Sequence, residues 1–165
     1  MIEFVRFQSP IGPLAVLAIK EGVVKISFES ESPEKMERWC LSHLGNKAIE
    51  GTNFTTGTKN QILNYLSGKT QSLDFPVVHV NTPFRKRVLE VERKIPYGYT
   101  RSYREVAQMV NSPRAYRAVG SANAENPLPL YFPCHRIINA NGTLGRFGGG
   151  LGVKCFLLDL ESRHY

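Results

Sequence analysis

A cysteine and a histidine stand side by side at Cys134 and His135, inside the tetrapeptide PCHR. A thiol is a useful nucleophile only as the thiolate, and a nearby imidazole that accepts its proton is a standard activator. A small buried cysteine beside a hydrogen-bonded histidine is nevertheless the more common outcome for such neighbours. The pair alone therefore indicates nucleophilic chemistry only weakly. Whether Cys134 is a nucleophile has to be judged from the rest of the sequence.

An imidazole base works best when a carboxylate holds its tautomer and stabilises the imidazolium. Neighbouring side chains on an extended segment point apart, so we expect His135 to reach the Cys134 thiol through a water. The residue types alone leave Glu125, Asp159 and Glu161 open as the carboxylate. A thiolate that attacks an alkyl carbon keeps the alkyl group on sulfur, and we therefore expect no cofactor.

Three scattered cysteines without CxxC spacing predict neither a disulfide framework nor a four-ligand zinc site, and we expect no metal. The apolar runs are too short to span a bilayer, and no secretory signal is evident at the N-terminus. These features favour a monomer without a membrane partner in a reducing, intracellular compartment. We expect that compartment to be the cytoplasm, or the nucleus in a eukaryote.

The net charge of +7 lies entirely in the second half of the chain. Residues 1–80 hold 8 Lys/Arg and 8 Asp/Glu, whereas residues 81–165 hold 13 and 6. Ten of those 13 cations are arginines, which suit forked phosphate contacts and stacking on bases. The asymmetry favours a nucleic-acid partner over an ordinary solvated surface.

The elements that must position the pair divide the chain into an α+β domain at 1–80 and a helical domain at 81–165. Apolar runs and alternation predict strands at 2–7, 13–19, 23–28 and 73–78. Capping signals, proline positions and apolar spacing predict helices at 33–43, 59–66, 83–94, 103–110, 113–124 and 151–161.

Two of these helices, 103–110 and 113–124, are joined by a short polar turn and predict a helix-turn-helix. Ser102 and Glu105 have the capping-box spacing at the start of the first helix. Ser112 with a following proline predicts the start of the second helix, whose exposed face would present Arg114 and Arg117.

The second half resembles the O6-alkylguanine-DNA alkyltransferases, the methylated-DNA–protein-cysteine methyltransferases. The resemblance rests on TPFRKRV (82–88), IPYGYTRSY (95–103), RAVGSANAENPLPLYFPCHRII (117–138), GTLGRFGGGLGVK (142–154) and LLDLE (157–161). SPIGPLAVLA (9–18) matches more loosely. The resemblance implies an N-terminal ribonuclease H-like domain, with a small antiparallel sheet and helices, and a C-terminal winged helix-turn-helix domain.

The resemblance also implies roles at the nucleophile. Cys134 would accept the alkyl group, with His135 as its base and Glu161 orienting that base. Asn126, in the NPxP run, would hydrogen-bond around the active-site turn.

The partner implied by the resemblance is double-stranded DNA containing O6-alkylguanine. Arg117 would enter the duplex and replace an extruded base, and Tyr103 would crowd the neighbouring phosphate. Extrusion is physically reasonable, because a stacked guanine cannot present its alkyl carbon to a buried thiolate. Arg114 and the small residues Ala118, Gly120 and Ser121 would complete the close approach to the sugar-phosphate backbone.

The substrate pocket implied by the resemblance is formed by Pro129, Gly145, Phe147 and Asn123. Phe147 departs from the tyrosine that many family members carry, so a hydroxyl that could donate to the guanine oxygen is missing there. Asn123 replaces an apolar residue found in some members.

The combined prediction is a single-turnover repair protein that moves an alkyl group from O6-alkylguanine, and also from O4-alkylthymine, to Cys134 after base flipping. Two alternatives remain at this stage. A lesion sensor would bind alkylated DNA without repairing it, and a Cys-His hydrolase or transferase would turn over small molecules without binding DNA. The retained cysteine opposes the first alternative, and the basic second half opposes the second.

Overall fold

The computed structural model describes residues 1–164 and contains two compact units, one from Met1 to Val80 and one that begins at Asn81. The first unit is a sheet with helices and the second is mostly helical, which confirms the predicted α+β class. Among the described residues, no helix has the length and apolar character needed to cross a membrane.

The sheet of the first unit has the strand order β3-β2-β1-β4. Its strands are β1 (Ile2–Phe7), β2 (Leu14–Ile19), β3 (Gly22–Phe28) and β4 (Ala48–Glu50). The first three form the predicted antiparallel meander, while β4 pairs in parallel with β1. The sequence did not predict β4, because three residues are too few to show an alternating pattern.

Two helices complete this unit, α1 (Pro33–Leu44) and α2 (Thr56–Leu66). The Ser32 hydroxyl accepts a hydrogen bond from the Lys35 amide at 3.2 Å, so the predicted cap is formed. The predicted strand at 73–78 is wrong. Only Val77 forms an isolated bridge, to Val23, and the neighbouring Pro76 has no N–H to donate to a ladder.

The second unit packs short helices around a core formed largely by Val88, Ile95, Val106, Ala107, Val110, Val119, Ala122 and Ile137. Its elements are α3 (Pro83–Arg93), β5 (Arg101–Ser102), α4 (Tyr103–Met109), α5 (Tyr116–Ala124), a 3₁₀ turn (Cys134–Arg136), β6 (Ile137–Ile138) and α6 (Leu151–Arg163). The strands β5 and β6 pair in parallel, which places the segment after the 3₁₀ turn beside the start of α4.

The helices α4 and α5 form the helix-turn-helix, but α5 begins later than predicted. The capping box of α4 is complete, with Ser102 and Glu105 bonding each other's backbone amides. Ser112 does not cap α5: its carbonyl accepts from the Ala115 amide at 2.8 Å and closes a turn. A Ser-Pro pair can open either a helix or a turn, and Arg114 therefore lies in the turn rather than on α5.

The last helix, α6, buries a face that includes charged residues. Lys154, Leu157, Leu160 and Glu161 are buried at helical spacing. Cys155 is exposed on the opposite side of the helix.

Candidate active site

Cys134 lies in the 3₁₀ turn, at the end of a tightly bonded loop. Pro133 adopts φ −78° and ψ 64°, and the Cys134 amide donates to the Phe132 carbonyl at 2.7 Å, which is an inverse γ-turn. Leu130, three residues earlier, has a left-handed φ of 73°. Such a backbone is costly without support, so the loop needs external bonds to hold its shape.

Asn126 supplies those bonds. Its Nδ2 donates to the Phe132 carbonyl at 3.1 Å, and its Oδ1 accepts from the Leu128 amide at 2.9 Å. Asn126 also opposes the rise in the pKa of the Cys134 thiol. One side chain thus holds both ends of the loop.

His135 and Glu161 form a buried pair behind Cys134. The His135 Nε2 and the Glu161 Oε2 are 2.6 Å apart, and both side chains are almost fully excluded from solvent. With Nε2–H donating to the carboxylate, Nδ1 is the acceptor nitrogen, and it has no hydrogen-bond partner among the described residues. Nδ1 is therefore the ring nitrogen that can accept a proton.

Arg136 is a third member of this cluster that the sequence analysis missed. Its Nε donates to Glu161 Oε1 at 2.7 Å, one terminal nitrogen donates to Oε2 at 3.0 Å, and the other reaches the Ile95 carbonyl at 2.7 Å. The Gly98 amide adds a fourth donor to Glu161 at 3.3 Å. The only sequence signal for Arg136 was its position next to Cys134 and His135.

These contacts choose among the three carboxylates that the residue types left open. Asp159 is exposed and pairs with Arg163 at 3.1 Å, one turn further along α6. Glu125 is exposed at the end of α5. Glu161 alone of the three contacts His135 in the described structure.

Burial sets the protonation states of the site. It raises the pKa of the Cys134 thiol to about 12, helped by the charge of Glu92 and opposed by Asn126 and Lys154. Burial also lowers the pKa of His135, although Glu161 opposes that effect. For Glu161, the bonds from His135 and Arg136 outweigh burial and hold its pKa well below the usual range. The resting site is thus a neutral thiol and a neutral imidazole beside a carboxylate.

Lys154 of α6 fixes the glycine-rich loop, residues 142–150, beside Cys134. Its fully buried Nζ donates to the carbonyls of Ile137 at 2.6 Å, of Leu144 and of Arg146. A lysine on the inward face of an apolar helix was the available sequence signal for this role.

A cavity of about 980 Å³ opens onto Cys134 between α5 and the glycine-rich loop. Asn123, Gly145 and Phe147 line it as predicted, whereas Pro129 is buried in the loop before Cys134 and does not line it in the described structure. Phe147 lies edge-on to the His135 ring, with centroids 6.5 Å apart. Asn139, Asn141 and Arg146 also line the cavity and were not predicted.

The predicted DNA-contacting residues separate into two groups. Tyr103, Arg117, Gly120 and Ser121 line the same cavity. Ala118 is exposed on α5 outside that lining, and Arg114 lies in the turn before α5. A Cβ added to Gly120 would meet no atom within 4 Å, so the absence of a side chain leaves the outer surface open rather than relieving a clash.

A cysteine beside a histidine–carboxylate pair, reached through a cavity lined by helix-turn-helix residues, is the arrangement expected of a cysteine-acceptor protein that acts on DNA. Family comparisons agree. Residues 83–163 match the 6-O-methylguanine DNA methyltransferase DNA-binding domain, and residues 5–78 match the ribonuclease-like domain of the same family. The chain belongs to the 6-O-methylguanine DNA methyltransferase family.

Individual relatives align over nearly the whole chain. The methylated-DNA–protein-cysteine methyltransferase of Methanosarcina acetivorans is 37% identical over 155 residues, which is 94% of this chain and 95% of the relative. The constitutive Bacillus subtilis protein of that name is 33% identical over 159 residues, covering 96% and 94%. The Mycobacterium tuberculosis OGT structure in complex with DNA has a TM-score of 0.86 and 32% identity, covering 98% and 94%.

Proposed function

We propose that this protein repairs DNA by direct reversal, transferring the alkyl group of O6-alkylguanine irreversibly to Cys134. The observation that carries the proposal is the position of Cys134, which lines a cavity beside α5 while the His135–Glu161 pair lies behind it. The names of the relatives and the DNA complex of the M. tuberculosis structure support the same activity.

The atoms and electrons of the alkyl transfer balance without a cofactor. The Cys134 thiol gives its proton to His135 Nδ1 through a water, and the sulfur attacks the alkyl carbon in line with the bond to O6. A carbon–sulfur bond forms as the carbon–oxygen bond breaks, and its electrons move to the guanine. The guanine takes up the proton that His135 held and stays in the DNA strand as an unmodified base, and His135 returns to its neutral form. The thioether sulfur is a poor leaving group, so the alkyl group stays on Cys134 and each molecule acts once.

Glu161 contributes most to the transfer while His135 carries the extra proton. The carboxylate accepts from Nε2–H throughout, but its attraction is strongest for the transient imidazolium. Arg136 holds the carboxylate in place with two bonds. Since thiol and imidazole are both neutral at rest, the thiolate forms during the reaction rather than before it.

The lesion reaches Cys134 by leaving the base stack. Only 6% of Cys134 is exposed, so an alkyl carbon inside a duplex cannot approach the sulfur in line. Arg117 is exposed at the cavity edge on α5, where it fills the gap left by the extruded base. Tyr103 faces it from α4 and crowds the phosphate backbone. Contacts of this kind carry no base code, which suits a protein that repairs lesions in any sequence context and accepts O4-alkylthymine as well.

The protein acts on genomic DNA, which places it inside the cell. Its bacterial and archaeal relatives favour the cytoplasm as the compartment.

The direct test is a single-turnover reaction with a duplex that contains one O6-methylguanine. We expect the intact mass of the protein to rise by one methyl group while the oligonucleotide loses one. Peptide mapping should place that methyl on Cys134. A protein that binds the duplex but leaves its methyl on the DNA would instead be a lesion sensor.

Arg117→Ala should slow repair of duplex DNA far more than reaction with free O6-benzylguanine. Unstacking a base is worth a few kcal/mol, so we expect a loss of roughly 10- to 100-fold on the duplex. The free base needs no extrusion and should react at nearly the wild-type rate. Both rates are measured by single-turnover quench.

Arg163→Ala is the matched control, because Arg163 is an exposed arginine that pairs with Asp159 on α6. It removes the same charge away from the cavity lining and should leave both rates close to wild type. Equal losses on duplex and free base in Arg117→Ala would show that Arg117 supports the pocket or the fold instead.

A further inference from the structure

A second buried carboxyl group lies near the nucleophile, and the transfer described above does not use it. Glu92 on α3 is fully buried, and neither of its oxygens has a regular hydrogen-bond partner among the described residues. An ionised Glu92 would raise the pKa of Cys134, of Tyr103 and of Lys154, so its carboxyl group lies near the reaction centre. A buried, unpaired carboxylate is so unfavourable that such a group normally takes up a proton instead.

Asn123 on α5 faces Glu92 and also lacks a regular hydrogen-bond partner. Both polar atoms of its carboxamide are buried without a regular partner in the described structure. The amide is close enough to stabilise the ionised form of Glu92 by hydrogen bonding, in a geometry outside the limits of a regular bond. Asn123 also lines the cavity that contains Cys134.

The four unsatisfied atoms can satisfy one another only if Glu92 carries a proton. A carboxylic acid donates its O–H to the Asn123 Oδ1 and accepts from Nδ2–H with its other oxygen. A carboxylate could accept from Nδ2 but would leave Oδ1 buried without a donor, which is costly. The chemistry of the pair therefore selects the neutral form.

We propose that Glu92 is a positioning residue for alkyl transfer: as a neutral acid it holds the Asn123 carboxamide in the cavity wall and keeps a further negative charge away from the Cys134 thiolate. This inference rests on the proposed alkyl transfer. It assigns Glu92 no contact with the substrate.

The pair should make the reaction sensitive to alkaline pH. Burial raises the pKa of Glu92 to about 8, while Asn123 and the buried Lys154 of α6 oppose the shift. Below that pH Glu92 is neutral, and above it a carboxylate faces Cys134, Tyr103 and Lys154. Lys154 offsets part of the charge, but the thiolate becomes harder to form and Asn123 loses its donor.

The test is the single-turnover rate from pH 6 to pH 9.5 for wild type, Glu92→Gln and Glu92→Leu. Glutamine can bond reciprocally with Asn123 but cannot ionise. We expect the ratio of the Glu92→Gln rate to the wild-type rate to rise by about threefold or more between pH 7 and pH 9. Glu92→Leu leaves Asn123 without a partner and should slow transfer by about threefold or more at pH 7.

Two controls locate the effect in the pair. Glu90→Gln changes the same charge on the exposed side of α3 and should follow the wild-type profile. In an Asn123→Ala background, Glu92→Leu should cause no further loss, since coupled residues are not additive. A Glu92→Gln profile parallel to wild type, or additive losses in the double variant, would overturn the proposal.

A stability measurement separates this inference from the proposed activity. A carboxyl group whose pKa is raised in the folded state binds more protons there than in the unfolded state. Stability must therefore fall as pH rises from about 4.5 to about 8 and stay low above it. We expect the Tm of Glu92→Gln relative to wild type to increase across that window, even if no methyl transfer occurred. A constant difference in Tm would show that Glu92 is not held neutral.

Discussion

Cys134→Ser should abolish methyl transfer while leaving binding to a methylated duplex largely intact. The serine hydroxyl has nearly the same size, so the buried loop at Cys134 should keep its shape. Its oxygen is a far poorer nucleophile at neutral pH, because it releases its proton much less readily than a thiol. The pKa of the Cys134 thiol is already raised to about 12. A serine hydroxyl is a weaker acid still, so His135 cannot deprotonate it.

The measurement pairs a single-turnover assay with a DNA-binding titration on the same preparations. Cys155→Ser is the matched control, since Cys155 is an exposed cysteine on α6. It should transfer the methyl group at the wild-type rate. A methylated peptide that contains Cys155 or Cys40 would remove Cys134 from its assigned role.

Glu161→Gln should lower the transfer rate and also weaken the fold. Glu161 is buried and accepts hydrogen bonds from His135, Arg136 and Gly98, so its charge also supports the fold. Removing its charge leaves the Arg136 guanidinium buried without a counter-charge, which typically destabilises a protein by roughly 3–5 kcal/mol. We expect this loss in urea denaturation at pH 7.

The pH dependence of that loss follows from the lowered pKa of Glu161. A carboxyl group whose pKa is lowered on folding stabilises the protein above its unfolded pKa, and that contribution is lost as pH falls. The stability gap between Glu161→Gln and wild type should therefore be largest at neutral pH and should narrow below about pH 4.5.

The rate of Glu161→Gln should fall by about 100-fold at pH 7, because the imidazolium loses its counter-charge. Its rate–pH curve should move to higher pH, since more hydroxide is needed to form the same amount of thiolate. Asp159→Asn is the control on the same helix: Asp159 is exposed, and the variant should match wild type in both rate and stability. A folded Glu161→Gln variant with an unchanged rate would remove Glu161 from the relay.

Most signals confined to a few consecutive residues predicted the local structure correctly. Ser32 caps α1 and the Ser102–Glu105 box begins α4, because a cap and its partner lie within one helical turn. The first three strands were placed within one residue for the same reason, since alternation is a local property. The Ser112 signal failed because the same residues form either a helix start or a turn, and packing of the following segment decides which.

The partners of the nucleophile lie at long sequence separation and became visible only with folding. Glu161 is 26 residues from His135, and composition could not separate it from Glu125 or Asp159. Folding separates the three, because Glu125 and Asp159 stay in solvent whereas Glu161 is surrounded by hydrogen-bond donors. The same holds for Glu92, which looks like an ordinary surface charge in sequence. A pKa depends on desolvation and on neighbours brought together from several helices. The residue types therefore indicated the kind of chemistry, whereas the packing determined the protonation state of each group.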